Sequence, residues 1–156
     1  MESRGVGSGR RPSLHRYRFR SVWMIAAPSG DVFEVLARAE EYPGWWPQVR
    51  EVRRIDTSSG TAAFRSVLPY TLRVGAREAR NDRTAGVLQI DLSGDLEGWA
   101  RFTVVPGGAR TRVVFEQEVV VHKRLLRWLA VPARPLLRAN HAWMMRGGRR
   151  GLRDRV

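Results

Sequence analysis

Three consecutive elements near the start of the chain restrict its fold more than any other feature. The apolar run Trp23–Ala27 predicts a strand, Pro28 followed by Asp31–Leu36 predicts a helix, and Tyr42–Pro47 predicts a tight corner rich in aromatic side chains. Proline suits the first turn of a helix, because the N–H that it lacks has no intrahelical partner there. We therefore expect a strand, a helix and a corner in quick succession, with their large side chains crowded around one short stretch of backbone.

The first strand begins before this run, at Arg16, and has one covered face. Apolar and polar side chains alternate along it, which is typical of a half-buried strand. The covered face carries Tyr17, Phe19, Ser21, Trp23 and Ile25. In the corner, Pro43 and Pro47 permit one short second helix or turn at most, since proline does not fit a helix interior.

The middle of the chain predicts six further strands. They are separated by segments rich in Gly, Asp, Asn and Ser, which favour the turns of antiparallel hairpins. The predicted strands are Arg50–Ile55, Thr61–Leu68, Tyr70–Arg80, Val87–Leu92, Gly98–Val105 and Arg110–Val121. Their alternation of apolar and charged residues indicates a sheet with one solvated face.

The last third of the chain predicts a long helix from Leu136 to Leu152. One face of it carries a stripe at helical spacing, formed by Leu137, His141, Met144, Gly148 and Leu152. We expect this face to lie against the sheet, with Gly147, Gly148 and Gly151 allowing a close approach to it. Pro132 and Pro135 predict a break before this helix, so Leu125–Val131 is expected to form a separate amphipathic turn.

Length and composition favour a single soluble domain. A chain of 156 residues buries roughly 70% of its unfolded surface as one domain, and we predict a flexible basic tail at residues 1–14 followed by one domain at residues 15–156. The chain has no cysteine, and its three histidines lack the spacing of metal ligands. We therefore predict no metal and no cofactor. Without a signal-peptide pattern or an apolar run of membrane-spanning length, a cytoplasmic location is expected.

The positive charge is concentrated at the two ends of the chain. Residues 1–20 carry six arginines and one acidic residue, residues 122–156 carry ten basic residues and one acidic residue, and the net charge is +13. Basic ends of this kind can contact nucleic acid or an anionic membrane surface. Solvated surface arginine is the ordinary alternative, and the chain has no recognised nucleic-acid module.

The order of these elements resembles the START/Bet v1-like superfamily, in particular its bacterial polyketide cyclase/dehydrase family. The resemblance covers roughly Arg16 to Leu152 and depends on the Ala27-Pro28 helix start, the Tyr42–Pro47 corner, the Ser93–Gly98 turn and the Asn140–Met145 stretch. It implies an α+β helix-grip fold: a curved antiparallel sheet of about seven strands around a long C-terminal helix, with two short helices after strand 1. It also implies an elongated apolar cavity between helix and sheet that holds a lipid, a polyketide or another aromatic molecule.

We expect the inward-facing residues to form the wall of this cavity. The predicted ligand-binding residues are Trp23, Trp46, Phe64, Tyr70, Leu72, Leu88, Ile90, Phe102, Phe115, Gln117, Leu137, His141, Met144 and Met145. Six tryptophans leave a second interpretation open, in which Trp23, Trp46, Trp99 and Trp143 fill the interior as a packed core.

No catalytic motif is recognisable, so binding of a hydrophobic small molecule is the leading hypothesis. A polyketide cyclase or dehydratase that uses the same cavity is the alternative, and an interaction protein with basic ends is a third. His141 is the one weak candidate for chemistry, since an inward histidine can bind a ligand carbonyl or act as an acid or base. The competing interpretation is a structural histidine that is hydrogen-bonded to a backbone carbonyl or to Gln117.

Overall fold

In the computed structural model, which describes residues 16–65, 71–122 and 133–156, seven strands and three helices follow one another. The strands are β1 (Arg16–Ile25), β2 (Val49–Arg54), β3 (Ser59–Arg65), β4 (Thr71–Asp82), β5 (Val87–Gly94), β6 (Leu96–Gly107) and β7 (Arg110–Val121). The helices are α1 (Ser29–Ala37), a 3₁₀ helix (Ala39–Gly44) and the long C-terminal α2 (Ala133–Arg155). Three predicted features lie outside the described residues: the tail at residues 1–14, Tyr70, and the turn at Leu125–Val131.

All seven strands form one antiparallel sheet in the order β1-β7-β6-β5-β4-β3-β2. Consecutive strands from β2 to β7 are neighbours, whereas β1 pairs with β7, so the first and last strands of the chain meet. α1 and the 3₁₀ helix connect β1 to β2 at opposite edges of the sheet. The predicted fold class is confirmed, including the two short helices after the first strand.

One face of the sheet is buried and the other is charged, as the alternation predicts. Trp23 and Ile25 of β1 are almost fully buried on the inner face. On the outer face, Arg18 binds Glu118 of the neighbouring strand at 2.9 Å, measured from Nε to Oε2. Exposed pairs of this kind contribute little to stability, so the fold depends on the apolar inner face.

Glycine is required at the end of β5 and again near the start of β6. Gly94 has a φ of 92° and Gly98 a φ of 152°, and a Cβ at Gly98 would overlap the carbonyl oxygen of Glu118. Between them, Asp95 accepts a hydrogen bond from the backbone N–H of Arg73 at 2.8 Å, which ties the turn to β4.

The glycines of α2 lie mainly against the aromatic corner. The prediction that they allow a close approach to the sheet is corrected in this respect. A Cβ at Gly148 would lie 2.7 Å from Cε2 of Trp46, and one at Gly151 would overlap the carbonyl oxygen of Trp45. A Cβ at Gly147 would overlap the side chain of Gln48. The helix therefore touches the corner with its backbone, at a distance that only glycine permits.

We predict that Gly151→Ala destabilises the protein by about 1–3 kcal/mol, because the added methyl group meets a backbone carbonyl that cannot rotate away. Gly30→Ala is the matched control. Gly30 also lies in a helix, but a Cβ there has no atom within 4 Å, so alanine should raise the free energy of unfolding by up to about 1 kcal/mol. Urea denaturation of both variants measures the difference. Equal stabilities would contradict the close contact between α2 and the corner.

Candidate functional site

A cavity of about 280 Å³ lies between the inner face of the sheet and the first half of the described part of α2. Most of its wall is aliphatic or aromatic. β3, β4, β5, β6 and β7 contribute side chains from one side, and α2 contributes Leu137, Asn140, His141, Met144 and Met145 from the other. The interior is therefore not packed solid in the part of the chain that the structure describes.

Trp46 joins the aromatic corner to α2 and forms part of the cavity wall. Its indole Nε1 donates a hydrogen bond to the carbonyl oxygen of Met144 at 2.9 Å. Trp23 lies behind it, with ring centroids 6.0 Å apart in an edge-on arrangement, and also contacts Phe102 at 5.9 Å. Aromatic pairs prefer these geometries, so this end of the cavity has a rigid aromatic wall.

The structure brings most of the predicted binding residues to this one cavity. Those in its wall are Trp46, Phe64, Leu72, Leu88, Ile90, Phe102, Phe115, Gln117, Leu137, His141, Met144 and Met145. Trp23 is not among them, and its ring packs against Trp46 and Phe102, which do line the cavity. Tyr70 lies outside the described residues.

The alternative of an interior filled by tryptophan is wrong for two of its four residues. Trp99 lies on the outer face of β6, where the guanidinium of Arg101 sits 5.0 Å from its ring centroid. Trp143 is half-buried on α2 and is absent from the cavity wall. Of these four, Trp23 and Trp46 belong to the buried core cluster around the cavity, together with Trp45, and they leave the space beside them open.

His141 contacts two phenylalanine rings of the sheet. Its imidazole stacks on Phe19 with a centroid distance of 4.0 Å and an angle of 9°, and it contacts Phe115 at 5.6 Å. Nε2 is buried and has no hydrogen-bond partner among the described residues. Burial lowers the pKa of His141 from 6.5 to about 4, so the ring is uncharged near neutral pH. The competing interpretation expects a hydrogen bond from His141 to Gln117 or to a backbone carbonyl, and among the described residues Nε2 forms neither.

Charged side chains gather where the β2–β3 hairpin, the 3₁₀ helix and β4 border the cavity. We call this group the charged rim, and its members are Glu40, Arg53, Arg54, Asp56, Glu78 and Arg80. Arg54 pairs with Glu40 and so joins the hairpin to the 3₁₀ helix, and this hydrogen bond lowers the pKa of Glu40. Arg54 also donates from Nη1 to the carbonyl oxygen of Thr57 at 3.3 Å.

The pairing of the strands shows how far Glu78 of the charged rim lies from Gln117, along the sheet. A row of facing residues crosses the sheet from β1 to β4: Phe19, Gln117, Ala100, Ile90 and Glu78. Neighbouring strands are about 4.8 Å apart, so Gln117 and Glu78 are separated by roughly 14 Å along the sheet. The cavity thus has a neutral side near β1 and β7 and a charged side near β4.

Several residues of the wall were not among the predicted binding residues. Phe19 and Ala100 were detectable, because each lies two positions from another inward-facing residue on the same strand. Asn140, which is buried beside Leu137 and His141, and the charged rim were not. The rim forms only when a hairpin tip, a 3₁₀ helix and a distant strand come together, which no local pattern reports.

Within the described ranges, no cluster of three or more His, Asp or Glu is arranged to hold a metal ion. Of the helices described there, none combines the length and apolar character needed to cross a lipid bilayer.

A family model described as "Polyketide cyclase / dehydrase and lipid transport" matches residues 16–156. The chain belongs to this polyketide cyclase/dehydrase family. The match spans the whole sheet and α2, so every part of the cavity described above lies inside it. No curated protein matches the chain significantly.

Solved structures similar to this family member share its fold at low sequence identity. The Zhui aromatase/cyclase from Streptomyces sp. R1128 is 16% identical, with a TM-score of 0.71 over 90% of this chain and 93% of that one. A START superfamily protein from Mycobacterium smegmatis is 17% identical, with a TM-score of 0.70 over 89% and 96%. The di-domain ARO/CYC BexL from the BE-7585A biosynthetic pathway is 15% identical, with a TM-score of 0.70 over 90% and 50%. The predicted polyketide cyclase/dehydrase family is confirmed by the family model, and the predicted helix-grip fold is confirmed by these structures.

The depressed pKa of His141 predicts a pH dependence of stability. As pH falls from 6.5 to about 4, the unfolded chain binds a proton at this histidine before the folded chain does. The free energy of unfolding therefore falls across this window, by up to about 3 kcal/mol. His141→Phe should lack this loss, because phenylalanine has no proton to bind and can keep the ring contacts.

Chemical denaturation of both proteins at intervals from pH 7 to pH 4 measures the effect. Carboxylates with lowered pKa values, such as Glu40, are present in both proteins and cancel in the difference. Parallel stability profiles would show that the His141 ring is not desolvated in the folded state.

Proposed function

We propose that this protein binds an apolar small molecule in the cavity between α2 and the inner face of the sheet. The observation that carries the proposal is the cavity itself, about 280 Å³ in volume and walled mainly by aromatic and aliphatic side chains. Such a space, concave and apolar with few polar groups, is typical of small-molecule sites. The family's description, which includes polyketide cyclases and lipid transport, supports the same conclusion.

The size of the cavity favours a compact ligand. Pockets for drug-sized molecules measure about 300–1,000 Å³, so this one lies just below the lower end of that range. Two adaptable side chains, Met144 and Met145, line it on α2 and can adjust to an irregular shape. A molecule of two or three fused rings fits this description better than a long acyl chain.

A cyclase or dehydratase is the second candidate, favoured by the likeness in fold to the aromatase/cyclase structures. With a pKa of about 4, His141 is unprotonated near pH 7, so it can accept a proton or hydrogen-bond to a reacting group but cannot act as a general acid in the free protein. The catalytic contribution of such a cavity would be to orient a flexible substrate.

Contact with an anionic surface through the basic ends stays a hypothesis. Two basic residues at the end of α2 are paired, Arg155 with Glu41 and Arg153 with Asp154. Much of the basic sequence lies outside the described residues. Affinity that falls steeply with salt would support this function.

Filling the cavity should abolish binding. Ala100 of β6 is a buried wall residue between Ile90 and Gln117, so Ala100→Phe places a phenyl ring in the ligand space. We expect affinity to fall at least tenfold for naphthalene and for decanoate, measured by tryptophan fluorescence, to which Trp46 in the wall contributes. Thr103→Phe is the control, because it adds the same ring on the opposite face of the same strand. If the native protein binds neither probe, the proposed function is wrong.

The cyclase candidate has a separate test. Incubation with a linear poly-β-ketone should change the ratio of cyclised products from that of the spontaneous reaction, and Ala100→Phe should restore the spontaneous ratio. Liquid chromatography with mass spectrometry measures the products. A product ratio that the native protein leaves unchanged, together with tight binding of naphthalene, would establish a binding protein and exclude this cyclase activity.

A further inference from the structure

Two polar side chains in the apolar part of the wall have hydrogen-bonding capacity that the other described residues do not use. His141 Nε2 is buried without a partner among the described residues. Gln117 also lines the cavity, and its side-chain amide forms no hydrogen bond with another described residue. A buried polar atom left unpaired costs about 1–3 kcal/mol, so a ligand that supplies the missing partner recovers that free energy.

The fold places these two side chains around the same phenylalanine. Phe19 of β1 faces Gln117 of β7 in the sheet register, and its ring stacks on the imidazole of His141 at 4.0 Å. Phe115, two residues before Gln117 on the same face of β7, contacts His141 from another direction. A ligand group that reaches this part of the wall therefore meets an amide and an imidazole beside aromatic rings.

Among the described residues, this part of the wall carries no charge. Gln117 has no charge at any pH, and burial keeps His141 neutral near pH 7. The arginines of the charged rim come from the β2–β3 hairpin and the end of β4, roughly 14 Å away along the sheet. An ionised carboxylate placed beside His141 would lose its hydration without gaining a countercharge, which is strongly unfavourable.

A hydroxyl group is the neutral group that fits best. Neutral imidazole carries either a proton or a lone pair at Nε2, and the glutamine amide offers both a donor and an acceptor. A hydroxyl can donate and accept, so it can pair with Nε2 in either tautomer and with Gln117 at the same time. A carbonyl can only accept, and it pairs with one tautomer alone.

We propose that Gln117 and His141 form a hydroxyl subsite, which selects compact aromatic ligands that carry a neutral hydroxyl group at their buried end. This inference depends on the proposed binding function and adds to it the chemical class and the orientation of the ligand.

Three probes with one ring system test the proposal: naphthalene, 2-naphthol and 2-naphthoate, titrated at pH 7 against the native protein. We expect 2-naphthol to bind about tenfold more tightly than naphthalene, since it pairs two polar groups that naphthalene leaves unpaired. This comparison needs no variant, so it does not depend on whether a substituted protein folds.

Two near-isosteric variants, Gln117→Leu and His141→Phe, locate the effect. Each should reduce the ratio of the naphthalene Kd to the 2-naphthol Kd, and the double variant should bring that ratio to about one. Thr103→Val is the matched control, because it removes a hydrogen-bonding group from the opposite face of the sheet, outside the cavity wall, and it should keep the full preference. Thermal unfolding of each variant confirms that it is folded.

The possible outcomes separate the two proposals. Equal affinity for naphthalene and 2-naphthol, or a preference that the double variant retains, overturns the hydroxyl subsite and leaves the proposed binding function standing. Tighter binding of 2-naphthoate that the double variant weakens also overturns it, because the carboxylate would then occupy the neutral side. Binding of none of the three probes overturns both proposals.

Discussion

The contact between the second half of α2 and the aromatic corner is the interaction on which the rest of the structure depends. Three glycines bring the helix backbone against Trp45, Trp46 and Gln48, and Trp46 donates a hydrogen bond to Met144 one turn earlier. This contact fixes the height of the helix above the sheet. The first half of the described helix carries longer side chains and spans the cavity, because the fixed half prevents it from settling onto the sheet.

The cavity has an energetic consequence for the protein. At about 24 cal/mol per Å³, an empty and dry space of 280 Å³ would cost about 7 kcal/mol, which is comparable to the total stability of many domains. Ligand or water must therefore occupy it for much of the time. A ligand that binds only the folded state then stabilises the protein in proportion to the logarithm of its concentration.

Most of the fold could be predicted from the sequence because its signals are local. The alternation in β1, the turn residues between strands and the stripe on α2 each report the burial of neighbouring positions, and the structure places Phe102, Phe115 and His141 on the inner side as those patterns indicate. What could not be predicted depends on distant segments. The packing of the corner on α2 decides whether Trp23 faces the cavity or lies behind Trp46. The charged rim forms only because Arg54, Glu40 and Glu78 come together from three different elements.

The division of α2 into two halves has a consequence for how this protein can change. Residues that hold the helix in place, such as Gly148 and Gly151, are separate in sequence from those that face the cavity, such as Leu137 and His141. A substitution in the first group changes the contact that holds α2 in place, whereas one in the second acts mainly on the shape and polarity of the cavity. Descendants of this chain can therefore acquire new chemical preferences through single steps that leave the architecture intact.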